Sequence, residues 1–224
     1  MNNSSDWAAD AESRLLAAAI PLAPELGWNS RLVRRAAQVV GLSIPESELL
    51  LPGGARDLAA LFSYRHDETA LTTLSAFDAS GLKIRERIAR GVEARVEAAA
   101  SDEAASRSWL GYLALPPNIP LGSRLFWSSA DVIWRWAGDT STDASHYSKR
   151  AILAGLLSST LAVRMTNTPA AAQRHLERGI EAVMTFEKVK SKLAPRPFAA
   201  AAAEALGRFR YGRRETSPED PTRV

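Results

Sequence analysis

The side chains that most often carry out chemistry are sparse in this chain. It has three histidines, His66, His146 and His175, and no cysteine among its 224 residues. None of the histidines belongs to a Glu-x-x-His pair, and the chain has neither a Gly-x-Ser-x-Gly motif nor a glycine-rich phosphate loop. We therefore expect no metal, no cofactor and no enzymatic activity, and we interpret His66 and His175 as residues at helix boundaries.

Aromatic and acidic side chains are concentrated at the junction of two predicted helices, 121–137 and 143–166. The first of these helices contains three of the six tryptophans. Its helical spacing puts Ile133 on a broad apolar face and turns Asp131 toward another side. Because an apolar face normally points inward, core packing is the simplest interpretation of Ile133. The carboxylates of Asp131 and Asp143 favour a surface, and Asp143 can also cap the second helix.

Helical periodicity extends over almost the whole chain. Alanine and leucine dominate, and apolar residues recur at three- and four-residue spacing. The sequence therefore predicts an all-α fold, with glycine, proline and serine at the ends of the helices. Ser30 is the predicted cap of the second helix. The predicted helices are 6–26, 30–40, 45–51, 56–77, 82–100, 102–115, 121–137, 143–166, 170–191 and 197–212.

The order of these helices predicts one main domain. A TetR-like fold of about nine helices requires three short helices, then longer ones, and a final antiparallel pair, and the predicted helices follow this order. We assign residues 1–191 to this domain. Residues 192–214 are a predicted linker and C-terminal amphipathic helix, and the polar segment 215–224, with two prolines, is predicted to be disordered.

Residues 29–51 have the spacing of a helix-turn-helix. In a DNA-binding protein the second of these helices enters the major groove. Here that helix contains two glutamates and three consecutive leucines, without arginine or lysine, and a buried leucine helix is its simpler interpretation. We predict no nucleic-acid partner. The preceding helix, however, contains three arginines that could contact a DNA backbone, at Arg31, Arg34 and Arg35. The alternative function is therefore a TetR-family transcriptional regulator with a hydrophobic ligand pocket.

The C-terminal segment predicts a basic amphipathic helix over 197–212. Its apolar residues fall in one sector, and most of its arginines fall on the other side. Burial of the apolar side chains in a lipid surface, together with attraction between arginines and anionic head groups, gives reversible adsorption to a membrane. Docking on the body of the protein or on a partner subunit is the alternative. The predicted membrane-binding residues are Phe198, Leu206, Arg208, Phe209, Arg210, Arg213 and Arg214.

The N-terminal region contains no predicted targeting signal. It is polar and acidic ahead of the first arginine, Arg14, and has the pattern of neither a signal peptide nor a mitochondrial presequence. No apolar run approaches the roughly 20 residues that cross a bilayer. We therefore expect a cytoplasmic protein of bacterial type that binds peripherally to the inner face of the cytoplasmic membrane.

Three motifs give the chain a specific resemblance. The chain resembles the Coq9 family in these motifs, which are Leu-Pro-Pro-Asn-Ile-Pro at 115–120, Trp-Ala-Gly-Asp-x-Ser-Thr-Asp at 136–143 and Tyr-Ser-Lys-Arg at 147–150. The family consists of non-catalytic lipid-binding proteins of ubiquinone biosynthesis with a TetR-like fold. The resemblance implies that the chain binds an isoprenoid quinone intermediate or a phospholipid. It also implies that the chain presents the intermediate to a Coq7-type demethoxyubiquinone hydroxylase at the membrane.

The resemblance also implies a partner-binding surface. In the Coq9 family the junction of the two helices meets the hydroxylase, and the matching positions carry this role over to the present chain. A tryptophan of the family is replaced here by His146, and the loss of apolar area predicts a different or weaker contact at this position. The implied surface comprises Asp131, Ile133, Trp134, Asp143, His146, Tyr147 and Arg150.

The resemblance also implies an apolar lipid cavity between helices, and the sequence identifies apolar residues near those helices without locating the cavity. Phe126 belongs to its expected lining, although core packing is its simpler interpretation. A TetR-like fold implies a homodimer in which the helices 143–166 and 170–191 pair with their symmetry mates, and small residues on the first of these helices permit close approach. These small residues are Ala151, Ala154, Gly155 and Ser158. The expected cavity lining is Trp109, Tyr112, Leu113, Phe126, Ile152, Leu156 and Leu157.

Overall fold

The computed structural model describes the backbone of residues 3–139 and 144–192, and the side chains of residues 7–139 and 146–182. Throughout these ranges the regular structure is helical, which confirms the all-α, TetR-like prediction. Single 3₁₀ turns lie at Ile20–Leu22 and Pro116–Asn118. The α-helices are α1 (Asn3–Ala19), α2 (Ala23–Leu26), α3 (Ser30–Val39), α4 (Ile44–Leu50), α5 (Ala55–Ser75), α6 (Ile84–Ala100), α7 (Glu103–Leu113), α8 (Ile119–Trp136), α9 (Ala144–Thr166) and α10 (Pro169–Lys192).

The chain divides into two units after Glu181. Residues 1–181 form the first unit, and the described part of the second, residues 182–192, is the end of α10. The predicted linker, amphipathic helix and tail from residue 193 onward lie outside the described residues, together with all seven predicted membrane-binding residues. The domain boundary at residue 191 stays a prediction.

Proline and glycine determine where several helices end. Pro21 lies in the 3₁₀ turn that interrupts the first predicted helix. Gly27 and Gly138 follow helices with φ angles of +68° and +92°, a left-handed conformation that strains any residue with a Cβ atom. Both glycines therefore stop helices where the sequence predicted a stop.

The starts of helices depend on caps and on prolines. Asn29 caps α3, because its side chain accepts bonds from the backbone nitrogens of Arg31 at 2.8 Å and Leu32 at 3.3 Å. The predicted cap at Ser30 was therefore wrong by one residue. α8 begins two residues earlier than predicted, since the preceding 3₁₀ turn leads directly into it and Pro120 occupies its first turn, where no backbone donor is needed.

The hydrophobic core lies where α5, α6, α8 and α9 pack together. α5 packs extensively against α6, and α8 packs extensively against α9. Trp109 of α7 enters the same core, where its indole nitrogen donates to the carbonyl of Ala59 at 3.0 Å and its ring meets Phe62 edge-on. Among the buried core residues are Leu58, Phe62, Val92, Val96, Leu125, Ile133, Leu157 and Leu161.

Candidate functional site

An open apolar groove of about 780 Å³ lies between α7, α8 and α9. Its volume is within the roughly 300–1,000 Å³ that is usual for small-molecule sites. The wall formed by α9 contains small side chains, which leave space that larger residues would occupy. Those residues are Ala151, Ala154, Gly155, Ser158 and Ala162, and the facing wall includes Leu110, Leu113, Phe126 and Trp127.

The small residues of α9 were predicted to form a dimer contact. In the single chain they form one wall of the groove. A partner chain packed against this row would cover the groove, so a ligand and a second subunit would compete for the same surface. The homodimer stays a prediction.

Two of the seven predicted cavity residues, Leu113 and Phe126, line this groove. Trp109 is buried in the core, and its ring packs edge-on against that of Phe126 at a centroid distance of 5.8 Å. It therefore supports the groove without lining it. Helical periodicity identified apolar residues correctly but could not separate those facing the groove from those facing the core. The predicted residues that do not line the groove are Trp109, Tyr112, Ile152, Leu156 and Leu157.

Trp127 connects the groove with the exposed junction of α8 and α9. Its side chain lines the groove, and its ring centroid lies 6.2 Å from that of Tyr147. Tyr147 is 65% exposed, and its ring meets His146 edge-on at 5.2 Å. Aromatic rings thus extend from the groove to the protein surface.

A buried arginine of α9 pairs with one carboxylate of α8 and with another just after the end of α8. Arg150 is 2% exposed and donates from Nε to Asp131 at 2.5 Å and from Nη1 to Asp139 at 3.2 Å. Lys149 donates to the same Asp139 at 2.8 Å, while its backbone carbonyl accepts from the indole of Trp134. The name corner cluster is used below for Asp131, Asp139, Lys149 and Arg150. The cluster holds the first turns of α9 against α8, and it therefore sets the position of Tyr147.

The predicted partner surface is divided by burial. Ile133 is buried, and its Cγ2 occupies the place that a Cβ on Gly91 of α6 would need, which confirms the core interpretation. Arg150 is also buried, so neither residue can contact a partner directly. Asp143 lies outside the described residues. The predicted residues that are at least partly accessible are Asp131, Trp134, His146 and Tyr147.

A second buried arginine, which the sequence analysis missed, lies between α5, α6 and α8. Arg95 is 1% exposed and donates from Nε to Asp67 at 2.5 Å and from Nη2 to the hydroxyl of Ser63 at 3.2 Å. The same carboxylate oxygen of Asp67 accepts the hydroxyl of Ser129 at 2.6 Å. Ser63, Asp67, Arg95 and Ser129 are called the inner cluster. No sequence motif joins these residues, since Asp67 and Arg95 are on different helices.

His66 is buried in the middle of α5, so its predicted position at a helix boundary was wrong. Its Nε2 lies 3.2 Å from the carboxylate of Asp102. Burial, reinforced by the charge of Arg95, lowers the pKa of His66 to about 4, so the imidazole is neutral at pH 7. His175 also lies inside a helix, α10, with its Nε2 2.9 Å from the hydroxyl of Ser159.

Neither a metal site nor a membrane span is present in the part of the chain that the structure describes. Residues 7–139 and 146–182, whose side chains are described, contain no group of three or more histidine, cysteine, aspartate or glutamate side chains that could hold a metal ion. Every helix of the described backbone, 3–139 and 144–192, is too short or too polar to cross a bilayer.

α3 and α4 retain helix-turn-helix spacing, but the exposed surface of α4 is apolar and acidic. Ile44 and Leu49 are largely exposed, beside the carboxylates of Glu46 and Glu48. The expectation of a buried leucine helix was therefore wrong for Leu49, because α4 is a short helix in which only Ser47 is fully buried and Leu50 is partly buried. The basic residues of this region are exposed on α3, at positions 31, 34 and 35.

Comparisons with known proteins agree with the resemblance carried by the sequence motifs. Residues 119–187 match the COQ9 family model. The mitochondrial ubiquinone biosynthesis protein COQ9 of Rattus norvegicus is 32% identical over 165 residues, which are 70% of this chain and 52% of that protein. The Bos taurus protein of the same name is 31% identical over 195 residues, covering 80% and 60%. The Xenopus tropicalis protein is 27% identical over 186 residues, covering 78% and 58%. The chain spans about half to three-fifths of these relatives.

The names of these relatives also correct one prediction. All three are described as mitochondrial, which contradicts the expected bacterial-type location on the inner face of the cytoplasmic membrane. That expectation rested on the composition of a short N-terminal segment, and such a segment is a weak guide to the compartment.

Proposed function

The chain belongs to the COQ9 family, and from this premise we propose that it acts in ubiquinone biosynthesis as a non-catalytic, lipid-binding accessory protein. It binds an isoprenoid quinone intermediate and presents it to a Coq7-type demethoxyubiquinone hydroxylase at the membrane. Attachment through the predicted helix over 197–212 belongs to the same proposal. Assembly into a homodimer is a separate proposal, because packing through the small residues of α9 would cover the groove.

The observation that carries the proposal is the apolar groove between α7, α8 and α9. A polyprenyl tail is nearly insoluble in water, and its transfer into such a groove removes apolar surface from water. Small residues such as Gly155 leave the groove wide on the α9 side. A phospholipid acyl chain has the same chemistry and is the alternative occupant.

The neighbouring rings of Trp127 and Tyr147 support the proposal that the chain presents its ligand to a hydroxylase. A ligand in the groove contacts Trp127, and Tyr147 offers a large exposed aromatic surface next to it. Exposed tyrosines are frequent binding hot spots in protein interfaces. The groove and the proposed partner surface are therefore adjacent, as transfer of a ligand from carrier to enzyme requires.

The groove is tested by filling it. In Gly155→Leu the new side chain enters the groove, and the substitution favours the helix because leucine has a higher helix propensity than glycine. Gly81→Leu is the matched control, since its Cβ also meets open space but lies outside the groove. Native mass spectrometry and solvent extraction should recover lipid from the unmodified chain and from the control, and much less from Gly155→Leu.

Two results would contradict this proposal. One is a purified chain that carries no lipid and does not take up an added ubiquinone with a short isoprenoid tail. The other is equal lipid recovery from Gly155→Leu and Gly81→Leu, because ligand binding would then not depend on the groove.

A DNA-binding regulator is the second candidate, favoured by the exposed arginines of α3. The acidic and apolar surface of α4 weakens it, since this helix would have to approach phosphate and base edges. The regulator hypothesis requires salt-dependent DNA binding that falls when Arg34 and Arg35 are both replaced by alanine.

A further inference from the structure

A second and smaller cavity, of about 360 Å³, lies between α5, α6, α9 and α10. Thr160 of α9 lines this cavity, whereas Ser158 and Ala162 line the lipid groove. Residues two apart on a helix point to nearly opposite sides. α9 therefore separates the two spaces, and a ligand in one does not enter the other. The apolar wall of the smaller cavity is formed by Leu74, Phe77, Ala94, Val96, Ala172 and Leu176.

The hydroxyl of Thr160 is the polar group buried at this cavity. The residue is 2% exposed, and its Oγ1 has no hydrogen-bond partner. Neighbouring hydroxyls of α9 bond to the helix itself: Ser159 donates to the carbonyl of Leu156 at 3.0 Å, and Thr166 donates to that of Ala162 at 2.8 Å. A buried hydroxyl that forgoes such a bond is costly, and a ligand in the cavity would satisfy it.

The charges around the cavity restrict the chemistry of that ligand. Glu93 and Glu97 contribute two carboxylates to the lining, and Arg90 contributes one guanidinium. Arg90 pairs with Glu93 at 3.5 Å and lies over the ring of Phe77 at 4.9 Å. Gln173 donates to Glu93 at 2.9 Å. Glu97 in turn accepts from Arg164 at 3.3 Å, so each carboxylate of the lining is paired with an arginine. Arg90 is therefore already occupied by Glu93, and no cation of the described lining is left to pair with an anionic ligand, which favours a neutral one.

We propose that this cavity is a second ligand site, which binds an uncharged phenol-class molecule. The aromatic ring lies among Leu74, Phe77 and Leu176, and the hydroxyl exchanges a hydrogen bond with Oγ1 of Thr160. A volume near the lower end of the range for ligand pockets suits one ring better than a long isoprenoid chain. The site lies outside the groove that carries the proposed lipid function.

The experiment is a ¹⁹F NMR titration of the full chain with 4-fluorophenol, fluorobenzene and 4-fluorobenzoate. We expect saturable binding of 4-fluorophenol that is roughly twofold to tenfold tighter than that of fluorobenzene, the range that one net hydrogen bond gives. The anion 4-fluorobenzoate should bind weakest. Equal affinities for the phenol and fluorobenzene, or no saturable binding of the phenol, would overturn the proposal.

Thr160→Val tests the hydrogen bond because it keeps the side-chain shape and removes the hydroxyl. It should weaken 4-fluorophenol binding to the level of fluorobenzene while the melting temperature stays equal or rises, because an unsatisfied buried hydroxyl is lost. Ser158→Ala, which removes a hydroxyl on the groove side of α9, should bind the phenol like the unmodified chain. Unchanged phenol binding by Thr160→Val would overturn the proposal.

Two further variants separate this site from the groove. Ala94→Leu places a larger side chain at a half-buried position of the smaller cavity and should abolish phenol binding. Gly155→Leu fills the lipid groove and should leave phenol binding unchanged. Loss of phenol binding in Gly155→Leu, or normal binding in Ala94→Leu, would contradict the second site. Lipid recovery tests the groove independently, so failure of one site does not imply failure of the other.

Discussion

Two buried arginines stabilise different parts of this protein. Arg95 in the inner cluster and Arg150 in the corner cluster are equally inaccessible to solvent, and each donates from Nε to a carboxylate at 2.5 Å. Asp67, the partner of Arg95, is itself buried and also accepts from Ser129. The partners of Arg150 have further cationic neighbours, because Asp139 is paired with Lys149 and Asp131 with the exposed Arg135.

The difference shows how context decides what a buried ion pair does. A charge in the inner cluster has no route to solvent, so loss of its partner leaves it desolvated and uncompensated. In the corner cluster the side chain of Asp131 is partly exposed, and lost contacts can be replaced by water or by neighbouring cations. We therefore expect the inner cluster to control global stability and the corner cluster to control the position of the surface around Tyr147.

The largest expected effect is that of Asp67→Ala. The substitution leaves the guanidinium of Arg95 buried without its carboxylate, and we expect the free energy of unfolding to fall by about 3–5 kcal/mol. Urea denaturation measures this change. Asp10→Ala removes an exposed carboxylate that pairs with Arg14 at 2.8 Å, and it should cost less than about 1 kcal/mol. Equal losses in the two variants would refute the distinct role of the inner cluster.

The next largest effect is a pH dependence of the free energy of unfolding, which originates at His66 beside the inner cluster. The pKa of His66 is about 4 in the folded chain against an ordinary value of 6.5. Between these pH values the unfolded chain holds a proton that the folded chain does not. Stability from this residue is therefore fully present above pH 6.5 and is lost as the pH falls toward 4, by up to about 3 kcal/mol.

His66→Gln tests this dependence because glutamine retains a donor for Asp102 but does not titrate. Its unfolding free energy should change less between pH 6.5 and pH 4 than that of the unmodified chain. His175→Gln, a replacement of the half-buried histidine in α10, should keep the steeper pH dependence. If both variants follow the unmodified chain, His66 is not the source.

A smaller effect is expected at the corner cluster. Arg150→Met removes the bonds to Asp131 and Asp139 but leaves Lys149 beside Asp139, and we expect a loss of about 1–3 kcal/mol. Hydrogen exchange should accelerate in the first turns of α9, whereas α5 and α6 should keep their protection. Uniformly faster exchange in all helices would show that the corner cluster is part of the global core.

The smallest effect on stability is expected for Tyr147→Ala. The side chain is 65% exposed, so the unfolding free energy should change by no more than about 0.5 kcal/mol. Lipid recovery should be unchanged, while co-purification with a Coq7-type hydroxylase should fall. Tyr64→Ala, which truncates another exposed tyrosine on α5, is the control and should retain co-purification. Equal co-purification by both variants would contradict the proposed partner surface.

Local sequence signals predicted the helices well because their causes are local. Gly27 and Gly138 end helices through their own backbone conformation, and prolines lead into α8 as their geometry requires. The cap of α3 was misplaced by one residue, since Asn29 and Ser30 are both good caps and only the backbone angles distinguish them.

Predictions of the site residues were less accurate, because the burial of a helix face depends on which neighbouring helix packs against it. Ile133 and Arg150 were recognised as belonging to the α8–α9 junction, yet both are buried in it. Leu113 and Phe126 line the groove, whereas Trp109 lies on its core side. Periodicity gives the direction of a side chain relative to its own helix and contains no information about the helix that packs above it.

The sequence by itself determined the helical content, most helix ends and the family to which the chain belongs, because propensity, caps and motifs act between residues close in sequence. Only the tertiary structure brought Arg95 to Asp67, 28 residues away, and placed an apolar groove and a smaller cavity on opposite sides of α9. Burial, charge pairing and cavities arise from contacts between distant segments. Those contacts exist only once the helices have packed.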